Sequence, residues 1–339
     1  VDEEEVGLGP MPAERGQFLG NSYVRDHAYL VYSVDGSKIV ESFKASKGGG
    51  FVRSFMIEAH EKPFTLVIGT VDPDVEIHGS PGLKIDQIKK PDGYPCRIAR
   101  IEASDEGKTI GIGFNVELGA DWEKEHRYQG TSPVPLRWPE SISSKVKHSR
   151  DEGAFTVEEV GLPEENPWKR NFRPSGFDFF SDGRAAFCTF DGDVWIAEGL
   201  DGDLDEVSWE RFTSGLHEPI ALEIVEDEIF VFDRNGIWKL HATKEGPERA
   251  FWHEMFCNLV PQTAETREFA NDLYENPDGG FFLCKGGQVS STRGLANGTV
   301  AKVSADGKSY EIVATGFRMP YIGVDPYSGM VTASDQQGH

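Results

Sequence analysis

Four short stretches of this 339-residue chain place a basic side chain just ahead of an apolar run: "RPSGF" from 173, "HEPIA" from 217, "REFAN" from 267 and "RMPYI" from 318. If the runs that follow are equivalent strands of a repeated unit, Arg173, His217, Arg267 and Arg318 take corresponding places and converge at one mouth. Loops expected to open on the same face bring Arg234, Lys285 and Arg293, beside Asp191, Asp193, Asp233 and Asp335. Cationic groups gathered in a concave place bind anions, and a guanidinium's planar fork matches a carboxylate with two parallel hydrogen bonds. The competing reading is structural: each Arg pairs with a neighbouring Asp and ties adjacent repeats together. The setting sharpens the contrast, because Lys plus Arg number 34 against 57 Asp plus Glu, a formal charge of −23. That excess disfavours nonspecific attraction to nucleic acid or to an anionic membrane face.

Such a convergence needs a repeat, and the sequence supplies one. "PSGFDFF-SDG-RAAFCTF-DGD-VWIAEG" is followed by "PIALEIV-ED-EIFVFDR-NG-IWKLHA", then "FANDLYENPDG-GFFLCKG" with "NG-TVAKVSADG", then "YIGVDPYSG-MVTASDQQG". The first turns centre on Gly183, Asp227, Gly279 and Gly329, roughly 44 to 52 residues apart. "VSWERFTSG", "RAFWHEMF" and "SYEIVATG" are candidate fourth strands between copies. Four strands in a repeat of about 40 to 50 residues is the signature of β-propeller blades. The fourth copy stops at the turn before its third strand, so the expectation is part of a longer propeller. "AFTVEEVGL", residues 154 to 162, is a candidate outer strand for a last blade. The prediction is all-β, with no helix of three turns between 170 and 339.

Ahead of the repeat, residues 1–118 read as an antiparallel β domain. "AYLVYSV" turns at Asp35-Gly36 into "KIVESF", and "FVRSFMIEA", "FTLVIGTV", "CRIARIEA" and "TIGIGFNVE" follow. Residues 119–153 are polar and proline-bearing and read as a linker or covering loop, leaving 154–339 to the blades. No apolar stretch approaches the roughly 18 residues of a membrane helix. The cysteines, Cys96, Cys188, Cys257 and Cys284, show no CxxC and no zinc spacing, and no metal site is predicted. Cys188 and Cys284 occupy matching places on second strands, where small buried thiols are expected, unbridged. "DGDLDEV" from 201 starts like a calcium loop, but Glu206 stands where the loop needs Gly and Phe212 where it needs Glu. Trp195 and Trp238 recur on third strands and are expected in the core.

"GPMPAERGQFLGNSYVRDHAYLVYSVDGSKIVES" with "FVRSFMIEA" resembles a β domain common in large secreted proteins of planctomycete-type bacteria. "NPWKRNFRPSGFDFFSDGRAAFCTFDGDVWIAEGLD" and "GTVAKVSADGKSYEIVATGFRMPYIGVDPYSGMVTASDQQG" resemble the propeller that follows it. The family is that of membrane-bound dehydrogenases, similar to soluble quinoprotein sugar dehydrogenases that use pyrroloquinoline quinone (PQQ), with calcium. The resemblance implies a dehydrogenase module acting on sugars or related alcohols, periplasmic or secreted, passing electrons to a cytochrome c domain elsewhere in the protein. It implies cofactor contacts from Arg318, Arg267 and Lys285, leaving Arg173, His217, Arg234 and Arg293 for a sugar or acidic substrate. Two departures stand out. Arg267 takes the place of the family's catalytic His, and a guanidinium cannot accept a proton near neutrality. "LHATKEGPERA" has Lys244 where relatives carry an Asp-rich, calcium-like loop. The alternative function is a noncatalytic propeller binding an acidic glycan or a protein partner. A third is a polysaccharide lyase, for which His217 near Arg173 is the candidate pair.

Overall fold

The computed structural model describes residues 14–24, 27–46, 48–90, 93–125, 128, 134–150, 153–202, 204–242, 248–249, 251–260, 269–287 and 296–336. The chain is all-β and divides into two compact units, Val1–Val134 and Pro135–His339. Among the described residues the one helix is the single turn α1 (Trp122–Glu125).

In the first unit, β1 (Gly16–Val24), β2 (His27–Val34), β3 (Ser37–Ala45) and β4 (Phe51–Ile57) form a meander. Next come β5 (Phe64–Gly69), β6 (Ile77–Gly79), β7 (Lys84–Lys89), β8 (Pro95–Ile101) and β9 (Lys108–Phe114). β9 pairs with β4 and β6, while β8 lies between β5 and β7 in a second sheet. Alternation decides the faces: Phe55 and Ile57 of β4 point into a core with Ile39, Ala99, Ile101, Ile110 and Ile112. Trp122 of α1 lies over Gly111, where a Cβ would come within 2.6 Å of its ring.

At the junction of the units lies the short strand β10 (Val134–Pro135). The second unit contains β11 (Ser141–Lys147), β12 (Glu159–Val160), β13 (Pro174–Phe179), β14 (Ala185–Thr189), β15 (Asp193–Glu198) and β16 (Glu206–Ser214). A second meander runs β17 (Ala221–Val225), β18 (Glu228–Asp233), β19 (Gly236–Ala242), and, past the two-residue β20 (Glu248–Arg249), β21 (Phe251–Cys257). The third is β22 (Ala270–Glu275), β23 (Phe281–Lys285), β24 (Thr299–Val303) and β25 (Tyr310–Thr315). The fourth has two strands, β26 (Pro320–Val324) and β27 (Val331–Asp335). Among the described residues these are the strand numbers the repeat predicts, with two in the fourth copy. The four first-turn residues, Gly183, Asp227, Gly279 and Gly329, all adopt positive φ, between 63° and 95°.

First strands β13, β17, β22 and β26 adjoin in chain order. Each middle strand is buried on both faces, which is why it reads as a continuous apolar run. On β23, Phe281 and Leu283 pack with Phe230, Phe232 and Ile237 of the second meander, while Phe282 and Cys284 pack with Ile322 of the fourth. Trp195 and Trp238 are buried as expected, and all four cysteines are buried and free.

Two expectations need correction. Residues 119–153 are not simply a linker, because β11 within them pairs along β16 and extends the first sheet. In "SISSKVK" the period is two: Ile142 and Val146 pack on the Trp195–Trp209 cluster, and Ser144 Oγ accepts a 2.8 Å hydrogen bond from Trp209 Nε1. Second, the segment 154–162 contributes only Glu159–Val160, which pairs with β11 at the outer edge of the first sheet and not with a last blade.

The third strands begin beside the ends of the fourth. Gly192, Gly236 and Gly298 adopt positive φ there, and a Cβ on each would lie 2.2 to 2.3 Å from the carbonyl oxygen of Leu216, Cys257 or Phe317. Backbone approach and backbone conformation both require glycine. Gly236→Ala is therefore expected to destabilise the second unit by about 2 kcal/mol or more. Gly316→Ala also has positive φ but has open space around it and costs less. Denaturant unfolding of both variants checks the difference; equal destabilisation would contradict the assigned packing.

Candidate functional site

The lead-in to the first strands was expected to gather basic groups, and part of that set does come together. Arg173 binds Asp191 through both edges of its fork, Nε to Oδ2 at 2.8 Å and Nη2 to Oδ1 at 2.7 Å. The hydrogen bonds from Arg173 hold the Asp191 carboxyl below its ordinary range. Arg234 Nε donates to Glu218 at 2.5 Å. Glu218 also raises the pKa of Arg173, so the two ion pairs belong to one electrostatic chain. Aromatic rings join them: Arg173 lies over Phe190, Phe190 adjoins Phe269 at 6.3 Å, and Arg234 lies over Phe269. Three repeats thus meet at this mouth, with two guanidinium groups balanced by two carboxylates.

The remaining predicted residues are placed differently. His217 donates its backbone N–H to Asp233 Oδ2 at 2.8 Å, and Arg318 donates its own to Asp335 Oδ2 at 2.9 Å. Burial alone would raise Asp335, yet amides of Arg318, Met319 and Gln336 hold it below the usual carboxylate range. For Asp233 burial wins and pushes the carboxyl up, against amides of His217 and Asn235. Lys285 was expected on an open loop; it is the last residue of β23 and wholly buried. Its register position is that of Thr189 and Asp233, both also wholly buried.

Arg267 and Arg293 lie outside the described residues. The backbone nevertheless corrects the register assumed for Arg267. Phe190 N donates to Arg173 O, and Arg234 N to His217 O; in the third repeat the matching donor, Gly286 N, reaches Phe269 O. Phe269, two residues on, therefore takes the place that the sequence alignment gave to Arg267. A bulge between Ala270 and Asp272 matches the one between Pro174 and Gly176.

A second set of side chains, missed in the sequence, lines the first strands themselves. Asp178 Oδ2 accepts the backbone N–H of Ile224 at 2.8 Å, and Glu223 Oε1 accepts that of Glu275 at 3.1 Å. Asp272 Oδ2 accepts that of Ile322, also at 3.1 Å. Asp178 and Glu223 occupy the same register position in successive repeats, a signal that was available in "GFDFF" and "ALEIV". Burial pushes Glu223 up to about 8, helped by the charges of Asp178, Glu275 and Asp272. Burial likewise pushes Asp272 up to about 6. Tyr274 stands among them with its phenol raised by burial and by Asp272 and Glu223. The group can hold and release protons near neutrality.

Among the described residues no three His, Cys, Asp or Glu side chains converge to hold a metal ion. No helix among them is long and apolar enough to cross a membrane. No protein-family model matches the chain, and no curated protein sequence matches it.

Glu223 makes the stability of the second unit depend on pH. Its folded pKa is about 8 against an ordinary 4.5, so the folded form binds the proton more tightly. Its contribution is fully present below pH 4.5 and is lost as pH rises through 8. Glu223→Gln keeps an acceptor for the Glu275 amide without the charge. Its unfolding midpoint should exceed that of the unsubstituted protein at pH 9 and approach it near pH 4.5. A difference of the same size at both pH values would contradict the burial of this carboxylate.

Proposed function

We propose that this chain is a noncatalytic β-propeller module that binds an acidic glycan. The observation that carries the reading is the commitment of Arg173 and Arg234 to carboxylates, together with the burial of Lys285. Both edges of the Arg173 fork used in the ion pair face Asp191, Arg234 faces Glu218, and Lys285 is buried. A quinone with three carboxylates needs donors that are open to it. Of the groups expected to contact such a cofactor, Lys285 is wholly buried. The Arg173–Asp191 and Arg234–Glu218 pairs lie within single repeats, and successive repeats are tied instead by the carboxylates of Asp178, Glu223 and Asp272 on the next repeat's amides, which supports a rigid scaffold.

One observation favours a second reading. Glu223, near 8 and beside Tyr274, has the proton affinity of a general base working near neutrality. It is the group that a dehydrogenase acting on a sugar or alcohol would require, with a cytochrome domain elsewhere and a periplasmic or secreted setting. Dye-linked turnover of glucose and simple alcohols, with PQQ and calcium supplied, separates the two readings. The binding reading predicts no PQQ-dependent dye reduction. Turnover that requires PQQ and disappears in Glu223→Gln would establish the dehydrogenase.

A further inference from the structure

Beside the mouth, the first sheet holds a group of charges that does not balance. Asp193 is wholly buried and accepts from Arg170 Nε at 2.8 Å and from Arg211 Nη2 at 2.9 Å. Arg170 Nη2 also donates to the Asp191 backbone carbonyl at 2.8 Å. Arg137 is close enough to Arg211 to repel its charge, as Arg170 does. Arg170 and Arg211 therefore share Asp193, Arg170 also feels Asp191, and Arg137 adds a further positive charge beside Arg211.

Arg211 is only 7% exposed, and its Nε has no hydrogen-bond partner. Its place follows from strand alternation: Val207, Trp209, Arg211 and Thr213 are the buried positions of β16. Trp138 covers it, with its ring centroid 3.9 Å from the guanidinium carbon, and Arg137 lies over the same ring at 5.2 Å. An aromatic face offsets part of a cation's desolvation, but it adds no negative charge. Asp193 is divided between two partners, so the site retains positive charge in a chain whose net charge is −23. Arg170 remains about one-third exposed and Arg137 is exposed, so the excess charge is open to solvent on one side.

We propose that Arg137, Arg170 and Arg211, held around Asp193 and Trp138, form an anion site that takes a carboxylate group of an acidic saccharide. The planar fork of Arg suits a carboxylate, and the exposed N–H groups of Arg137 and Arg170 are the donors that reach it. Arg211 supplies field from beneath and does not touch the ligand. The site adjoins the Arg173–Asp191 pair through Arg170, and with that pair counted the arginines still outnumber the carboxylates four to two. The assignment rests on the reading of this chain as a binding module for acidic glycans, and it names the group that would be recognised.

Calorimetry on the full chain with a galacturonate trisaccharide, a neutral cellotriose and sodium acetate tests it. The trisaccharide of galacturonate should bind, cellotriose should not, and weaker binding of acetate would identify the carboxylate as the recognised group. Arg137→Gln, at an exposed position, should weaken galacturonate binding at least tenfold without changing the unfolding midpoint. Arg170→Lys should weaken it as well, since an ammonium keeps the charge but loses the fork. Binding of galacturonate that is unchanged in both variants would overturn this site and leave the module reading in place. Failure of the unsubstituted protein to bind galacturonate would overturn both.

Discussion

A carboxylate on one first strand takes the backbone N–H of the next: Asp178 to Ile224, Glu223 to Glu275, Asp272 to Ile322. Four strands lying side by side without a shared ladder leave their facing amides in need of acceptors. A short acidic side chain supplies one at each junction. Ser175 Oγ and Asn271 Nδ2, both at bulges, add the reverse bond, donating to the carbonyls of Pro219 and Pro320 in the following repeat. The apolar cores between meanders bring the sheets together, but they are nondirectional. Hydrogen bonds of this kind set how far each repeat is advanced against its neighbour.

The same choice of residue has an electrostatic consequence. Asp178, Glu223, Glu275 and Asp272 are close enough to one another that their charges push Glu223 up, so negative charge accumulates along the first strands. Glu223 and Asp272 respond by holding protons at pH values where exposed carboxylates are ionised. Arginine is instead spent at the mouth, where Arg173 and Arg234 meet Asp191 and Glu218, and around Asp193. Acidic residues outnumber basic ones 57 to 34 in this chain, so the gathering of Arg137, Arg170 and Arg211 beside Asp193 stands out as a place for a ligand's charge.

Strand positions and the repeat were legible because turns and apolar runs are local signals. The strand β11 was obscured by Lys145, Lys147 and the nearby prolines, although Ile142 and Val146 keep its alternation. Register was harder. Aligning "REFAN" on its Arg set the third repeat two residues out, and the strand pairing, with a bulge at Asn271 like that at Ser175, puts Phe269 in the place where Arg267 was expected. Burial of Lys285 was legible only by comparison with Thr189 and Asp233, which hold the same position. Arg211 could have been found: an arginine in phase with Val207, Trp209 and Thr213 must enter the buried face and must be paired there. Arg170 has no such period, and only the fold brings it to Asp193.

The account depends most on the acid-to-amide ties, and amide hydrogen exchange at Ile224 reads the first of them directly. In the unsubstituted protein this amide should be protected, and Asp178→Ala should speed its exchange at least tenfold. The amide of Val231, buried within the second meander, reports global opening and should be slowed or quickened only as overall stability changes. Exchange at Ile224 that is fast from the start, or that follows Val231 in both proteins, would show that the carboxylate does not hold the neighbouring strand.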